Sequence, residues 1–151
     1  MKLRIAGMVN DSIVDGPGFR LAVFTQGCRH NCPGCHNPET HPFDGGYEID
    51  TEAIIQKLRE NPLLSGVTLT GGDPFEQSEA VLPIARAAHE LSLNVWTYTG
   101  YTFEHLLEQG SDAQKELLRE SDVLVDGPFI LEQRSLELHF CGSRNQRLID
   151  V

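Results

Sequence analysis

The apolar residues of this chain form short runs that are separated by polar segments and turns. Four runs, each followed closely by glycine, predict buried strands at residues 19–25, 66–70, 93–99 and 122–126. The first run is almost continuously apolar, which is typical of a strand that is buried on both faces of a parallel sheet. Residues 147–151 predict one further short strand at the end of the chain.

Between these runs, apolar residues recur at the three- and four-residue spacing of amphipathic helices. The helical segments are residues 52–60, a segment that starts near residue 80, residues 103–109 and residues 112–120. Their candidate N-caps are Asp50 or Thr51 for the first, Thr102 for the third and Asp112 for the fourth. Pro83 in the second segment either lies in the first turn, where proline is tolerated, or introduces a kink.

The alternation of strands and helices predicts an α/β fold. Because the chain holds fewer strand-helix units than the eight of a complete barrel, we expect a partial (β/α) barrel or an open parallel sheet with helices on the outside. The length of 151 residues suits one hydrophobic core, so we expect residues 1–151 to form a single domain.

Composition narrows the possible classes of function. The formal net charge of -10 argues against nucleic acid as a partner, because phosphate binding needs clustered lysine and arginine. The first residues contain no apolar run long enough for a signal peptide, and no later run approaches the length of a membrane span. We therefore expect a cytoplasmic protein without a membrane partner, in a reducing compartment where clustered cysteines bind metal more often than they form disulfides.

Three of the four cysteines lie in the loop that follows the first predicted strand: Cys28, Cys32 and Cys35. A closed structural zinc site requires four nitrogen or sulfur ligands, and an iron-sulfur cluster is normally bound by four protein thiolates. Three thiolates therefore leave one iron of a cubane cluster open to a substrate or cofactor. A zinc site completed by a histidine is the alternative, with these candidates: His30, His36 or His41.

Two further loops follow predicted strands and are expected at the same edge of the sheet as the cysteine loop. One is the turn Gly71-Gly72-Asp73-Pro74, and the other is the region from Tyr98 to Tyr101. Paired glycines at a strand end let the backbone come close to a ligand that a β-carbon would exclude. An ordinary tight turn explains such a sequence equally well. The turn indicates a ligand site only in combination with the cysteine loop, which lies one strand-helix unit earlier.

These motifs together resemble the radical S-adenosylmethionine superfamily. Its C-x-x-x-C-x-x-C signature is matched by the three clustered cysteines, and its Gly-Gly-Glu-Pro-like turn by residues 71–74, with Asp73 in place of glutamate. Within the superfamily the chain is similar to the activating proteins of anaerobic ribonucleoside-triphosphate reductase. This narrower resemblance rests on residues 15–20, 32–37, 96–102, 122–129 and 145–150. It runs from about Leu3 to the end of the chain and implies a compact radical S-adenosylmethionine domain.

The resemblance implies a 4Fe-4S cluster whose fourth iron is chelated by S-adenosyl-L-methionine. By position, the implied cluster ligands are Cys28, Cys32 and Cys35, and the implied cofactor-binding residues are Gly34, Cys35, His36, Gly71, Gly72 and Asp73. The turn is expected to meet the methionine through backbone oxygens, so the aspartate should cost little relative to glutamate. Gly34 stands where many superfamily members have an aromatic residue, a departure that the reductase activators share.

The resemblance also implies the reaction and the partners. The expected activity is the reductive cleavage of S-adenosylmethionine to a 5′-deoxyadenosyl radical, which takes a hydrogen from a glycine of the large subunit of anaerobic ribonucleoside-triphosphate reductase. No catalytic acid or base beyond the cluster ligands is expected. The chain has no second cysteine cluster, so the electron must come from an external donor such as a flavodoxin or ferredoxin.

Alternative functions and several single residues remain open at this point. The alternatives are a radical S-adenosylmethionine enzyme for a small molecule, an activating enzyme of pyruvate formate-lyase, and a zinc-stabilised binding module. The histidines predicted to be surface or helix residues are His30, His41, His89, His105 and His139. Residues that the sequence assigns to no definite role are Asp15, Asp126, Cys141, Arg134, Arg144 and Arg147.

Overall fold

The strands of the chain form one mixed sheet in the part that the structure describes. The computed structural model describes residues 1–12, 16–30, 40–128, 130–133, 140–141 and 143–151. Within them the strands are β1 (Lys2–Ser12), β2 (Arg20–Thr25), β3 (Tyr47–Asp50), β4 (Gly66–Gly71), β5 (Asn94–Tyr98), β6 (Val123–Asp126) and β7 (Arg147–Asp150). Their order across the sheet is β3-β1-β2-β4-β5-β6-β7.

The centre of the sheet is parallel and its edges are antiparallel. Strands β2, β4, β5 and β6 pair in parallel, as the alternation of strands and helices predicts. Strand β1 pairs antiparallel with both β2 and β3, and β7 pairs antiparallel with β6. The prediction of a parallel sheet is therefore wrong for the strands at the two edges. The connection from β1 to β2 is too short for the crossover that a parallel pair needs, so the two strands run antiparallel.

The helices of the described residues occupy the predicted positions. They are α1 (Thr51–Glu60), α2 (Ser78–Glu90), α3 (Phe103–Gln109) and α4 (Asp112–Glu120). A 3-10 turn at Pro74–Gln77 precedes α2, which places Pro83 in the second turn of the helix and not in the first. The N-cap of α4 is Ser111 in a capping box with Gln114, not Asp112 as predicted, because the serine hydroxyl reaches the backbone N–H of Gln114. None of these helices has the length and apolar character needed to cross a membrane.

Side chains at alternate positions of the central strands lie on the two opposite faces of the sheet. Val23 and Leu69 belong to the hydrophobic core, which includes buried residues of α1, α2 and α4. The other face carries Arg20, Thr68 and Trp96, because successive side chains of a strand point to opposite sides. There the buried Arg20 donates from Nε to Thr68 Oγ1 at 2.7 Å and lies over the Trp96 ring at 5.6 Å. The sheet thus has one apolar face and one face with polar and aromatic side chains.

Candidate functional site

The cysteine loop leaves the sheet at the end of β2, and its two ends are joined by backbone hydrogen bonds. The N–H of Gly27 donates to Thr40 O at 2.7 Å, and the N–H of Cys28 donates to His41 O at 3.1 Å. The side chain of Cys28 is half-buried, with a reduced thiol. The remaining predicted site residues of this loop lie outside the described residues: Cys32, Gly34, Cys35 and His36. The closed base holds Cys28 at the carboxyl edge of the parallel strands.

The Gly-Gly-Asp-Pro turn is directly bonded to the base of the cysteine loop. Gly72 N donates to Thr25 O at 2.7 Å, and Asp73 N donates to Gly27 O at 2.9 Å. A β-carbon on Gly72 would lie 2.4 Å from Gly27 O, and Gly71 has φ +98. Both positions therefore require glycine. The structure brings the turn and the cysteine loop together at one edge, where the sequence placed them.

The carboxylate of Asp73 is fully buried and accepts hydrogen bonds from several directions. Oδ1 accepts from the backbone N–H of Phe75 at 3.0 Å, which caps the 3-10 turn. The hydroxyl of Thr99 donates to both oxygens, and the N–H of Gly100 donates to Oδ2 at 3.0 Å. The sequence analysis predicted contacts through the backbone of this turn only, and it did not predict the role of the Asp73 side chain. Asp73 connects the turn to the segment after β5.

His30 completes this group from inside the cysteine loop. Its Nε2 lies 2.7 Å from Asp73 Oδ2, and since a carboxylate can only accept, the imidazole donates this bond. The hydrogen bond to Asp73 outweighs the opposing effect of burial and raises the pKa of His30. The ring meets Tyr101 edge-on with 4.6 Å between centroids. The sequence analysis predicted His30 to be a surface or helix residue, but its side chain is only 16% exposed. The position of His30 between two of the clustered cysteines was the feature of the sequence that could have indicated a role in the site.

A second carboxylate, Glu76, lies in the turn before α2 and is held by two neighbours. Its side chain is 3% exposed, and Arg29 Nε approaches Glu76 Oε2 at 2.6 Å. The hydroxyl of Tyr101 donates a short hydrogen bond to Oε1. Burial and this hydrogen bond raise the pKa of Tyr101, so the hydroxyl stays protonated. Arg29, Glu76 and Tyr101 also line a cavity of about 500 Å³ that extends to the first residues of α2 and α4.

Comparison with known proteins gives consistent matches over nearly the whole chain. Residues 14–149 match the family model of a 4Fe-4S single cluster domain. The anaerobic ribonucleoside-triphosphate reductase-activating protein of Vibrio cholerae is 39% identical over 142 residues, covering 89% of both chains. Proteins of the same name from Haemophilus influenzae and Escherichia coli are 36% and 32% identical over 89% of this chain and 89% and 90% of their own length. The chain belongs to this activating-protein family.

The fold of this family member has a counterpart among solved structures. The crystal structure of QueE from Escherichia coli superimposes with a TM-score of 0.59 and 16% identity, covering 83% of this chain and 70% of that chain. At this identity the likeness concerns the fold alone. The predicted α/β class, in its open-sheet form, is confirmed.

The match to a 4Fe-4S single cluster domain confirms the predicted cluster, and membership of the activating-protein family supports S-adenosylmethionine as the second cofactor. The described part of the site fits such a group in its donor chemistry, because Cys28 offers a soft thiol at the base of a loop that is anchored at both ends. Within the described residues no three His, Cys, Asp or Glu side chains form a metal-binding group. Cys32 and Cys35, which would complete the set, lie outside those residues.

Other residues that the sequence left open have structural partners or lie apart. Asp126 accepts from Phe103 N at 2.8 Å and from Arg147 Nε at 3.0 Å, so its carboxylate joins α3 to β7. Arg147 also contacts Glu104 through two hydrogen bonds. Cys141 is half-buried, and burial raises the pKa of its thiol. Arg144 is part of a turn, whereas three further residues lie outside the described part of the chain: Asp15, Arg134 and His139.

Proposed function

We propose that this chain is the activating enzyme of an anaerobic ribonucleoside-triphosphate reductase and that it acts through a 4Fe-4S cluster and S-adenosylmethionine. The observation that carries the proposal is the contact between the cysteine loop and the Gly-Gly-Asp-Pro turn. These two motifs are far apart in sequence, yet Asp73 N donates to Gly27 O at 2.9 Å at the carboxyl edge of the parallel strands. Ligand sites of α/β sheets gather at this edge.

The proposed assignment of the site residues follows the sequence motifs. The cluster ligands are Cys28, Cys32 and Cys35. The residues in contact with S-adenosylmethionine are Gly34, Cys35, His36, Gly71, Gly72 and Asp73. The side chain of Asp73 is occupied by protein donors, and its backbone N–H donates to Gly27 O. The proposed contact with the cofactor is therefore made by the carbonyl oxygen of Asp73, which has a second acceptor position beside its bond from Glu76 N. Because the glycines carry no β-carbon, the backbone of the turn can approach a ligand closely.

Held by Cys28, Cys32 and Cys35, a reduced cluster would supply the electron for reductive cleavage of S-adenosylmethionine, the chemistry that would generate a glycyl radical on the reductase. The chain itself holds and orients the reactants. The two hydrogen bonds between residues 27–28 and 40–41 fix the ends of the cysteine loop. Arg29 carries the charge opposite to that of Glu76, and the Tyr101 hydroxyl donates to it, so both oxygens of this buried carboxylate are bonded to protein groups.

The proposed partners are the large subunit of the reductase, as protein substrate, and an external electron donor of the flavodoxin or ferredoxin type. The family name supports the first, since the relatives are named as activators of that reductase. The absence of a second cysteine cluster in the sequence supports the second. We further propose that residues 1–151 act as one domain, because strands from both ends of the chain belong to one sheet.

The test is an anaerobic reconstitution with iron and sulfide, followed by reduction and addition of S-adenosylmethionine and the reductase. We expect about four irons per chain and a glycyl radical by electron paramagnetic resonance. A colourless protein that binds one zinc, or a loaded cluster that yields no glycyl radical, would refute the proposal. Release of 5′-deoxyadenosine with a small metabolite and without the reductase would favour the small-molecule alternative.

A matched pair of cysteine variants makes this test specific for the proposed ligands. Cys28→Ala removes a thiol from the loop, whereas Cys141→Ala removes a half-buried thiol outside it. We expect Cys28→Ala to lose the stable cluster and the radical, and Cys141→Ala to retain the iron content of the unmodified protein. Equal iron contents in the two variants would contradict the assignment of Cys28.

A further inference from the structure

The side chain of His30 is the point at which three strand-end loops meet. The residue belongs to the cysteine loop after β2, its partner Asp73 to the turn after β4, and Gly100 to the segment after β5. These loops are separated along the chain by whole strand-helix units. A single hydrogen-bonded group therefore connects all three segments, in addition to the backbone hydrogen bonds between the turn and the base of the cysteine loop. Four residues form this group: His30, Asp73, Thr99 and Gly100.

The imidazole of His30 occupies a closely fitted slot. A β-carbon on Gly100 would lie 2.4 Å from the His30 ring, which is shorter than any contact that a real β-carbon makes. The Tyr101 ring meets the imidazole edge-on at 4.6 Å, and Asp73 Oδ2 receives the Nε2–H at 2.7 Å. One side of the ring is thus limited by glycine backbone, another by an aromatic ring, and its tip by a carboxylate. These three contacts define the position of the ring.

The carboxylate at the end of the slot is itself fixed. Asp73 is 0% exposed, and its two oxygens accept from the N–H of Phe75, the hydroxyl of Thr99 and the N–H of Gly100. Side-chain partners that are already fully bonded hold a neighbouring group in place better than mobile ones. Asp73 is therefore a fixed acceptor that determines where His30 lies.

We infer that His30 is a positioning residue that holds the cysteine loop in the geometry needed to bind its cluster. His30 stands two positions after Cys28 and two before Cys32, so it lies between two of the proposed cluster ligands in the sequence. The inference rests on the proposed function, because it assumes that these cysteines bind the cluster. Partners that orient metal ligands from outside the coordination shell typically contribute about 10- to 100-fold to metal affinity.

The test compares variants of His30 with a histidine control that shares one of its partners. His30→Ala removes the donor to Asp73, and His30→Gln keeps an N–H at a similar reach. His105→Ala is the control, because His105 also contacts the Tyr101 ring, here stacked with 5.2 Å between centroids, but is exposed and lies on α3. Gly100→Ala closes the slot without changing His30, so it tests the same geometry from the other side.

The main readout is the rate at which a chelator removes iron from the reconstituted protein under argon, with thermal unfolding of the metal-free protein measured in parallel. We expect His30→Ala and Gly100→Ala to lose iron about tenfold faster or more, and His105→Ala to match the unmodified protein. His30→Gln should recover most of the difference. We also expect the electron paramagnetic resonance spectrum of the reduced cluster, with and without S-adenosylmethionine, to change in His30→Ala and not in His105→Ala.

Each outcome bears on the inference separately from the proposed function. If the unmodified protein binds no iron-sulfur cluster, the proposed function fails first. If it binds the cluster and His30→Ala releases iron at the rate of His105→Ala, the positioning role is wrong while the function stands. If His30→Gln is as impaired as His30→Ala, or if all the faster iron loss follows from a lower unfolding temperature, the donor to Asp73 is not what positions the loop.

Discussion

Replacing Asp73 by asparagine keeps the shape of this buried side chain but removes one of its two acceptor oxygens. The single amide oxygen can take the place of Oδ1 or of Oδ2, and the NH₂ group takes the other. That NH₂ then faces either the N–H of Phe75 or the N–H of Gly100, both of which donate at 3.0 Å to the carboxylate. In either orientation one backbone donor loses its acceptor, either the buried N–H of Phe75 or the partly buried N–H of Gly100.

The cost of Asp73→Asn can be estimated from these contacts. A buried donor without a partner costs about 1 to 3 kcal/mol, and the remaining bonds lose about 1 kcal/mol more because the acceptor is no longer charged. The sum is about 2 to 4 kcal/mol, a large part of the roughly 5 to 15 kcal/mol that typically stabilises a protein. We expect the midpoint of thermal unfolding to fall by roughly 5 to 15 °C.

The assay is thermal and urea unfolding of the metal-free protein, followed by circular dichroism under argon. Asp44→Asn is the matched control, because Asp44 is an exposed aspartate in the segment that returns from the cysteine loop. Exposed substitutions usually change stability by less than about 0.5 kcal/mol. An Asp73→Asn variant that unfolds within this margin of the unmodified protein would refute the view of Asp73 as a fixed, fully bonded acceptor.

Two further predictions concern the turn and a surface histidine. Gly72→Ala places a β-carbon 2.4 Å from Gly27 O, so the turn must move away from the cysteine loop. We expect lower thermal stability and lower iron content than in the unmodified protein. Normal values for both would contradict this contact. For His89, partial burial lowers the pKa, but the hydrogen bonds to Asp122 and Glu120 outweigh it and raise the pKa above 6.5. The stabilisation is therefore complete below about pH 6.5 and is lost as the pH rises through the higher pKa of the folded state. The loss of unfolding free energy in His89→Gln should be larger at pH 6 than at pH 9, and equal losses at both would argue against a charged His89.

The sequence predicts the central strands and the helices well because their signals are local. The apolar spacing of residues 103–109 and the Thr102 cap give the bounds of α3 as found. Strand β3 was missed because Tyr47–Asp50 is an edge strand without an apolar run, and β1 was missed because polar residues interrupt the apolar ones in Lys2–Ser12. The cap of α4 was displaced by one residue because Ser111 and Asp112 are both good capping residues, and only the bond to Gln114 distinguishes them.

The side-chain contacts of the candidate site were harder to predict than its motifs. The cysteines, the paired glycines and their common edge follow from spacing and strand order. The partner of His30 is 43 positions away along the chain, and no sequence pattern links the two residues. Glu76 resembles a solvent-facing helix residue in sequence, yet its side chain is 3% exposed because Arg29 and Tyr101 cover it. Such pairings depend on how the loops pack, which single-sequence patterns do not encode.

The fit between Gly100 and His30 has an evolutionary consequence. A β-carbon at position 100 would lie 2.4 Å from the imidazole at position 30, so the ring would have to move, and we expect substitutions at the two positions to be coupled. Lineages that keep histidine at the first should keep glycine at the second, and those that accept a larger residue at position 100 should carry a smaller side chain at position 30. The slot would then be visible in an alignment of relatives as correlated substitution between two sites 70 positions apart in the sequence.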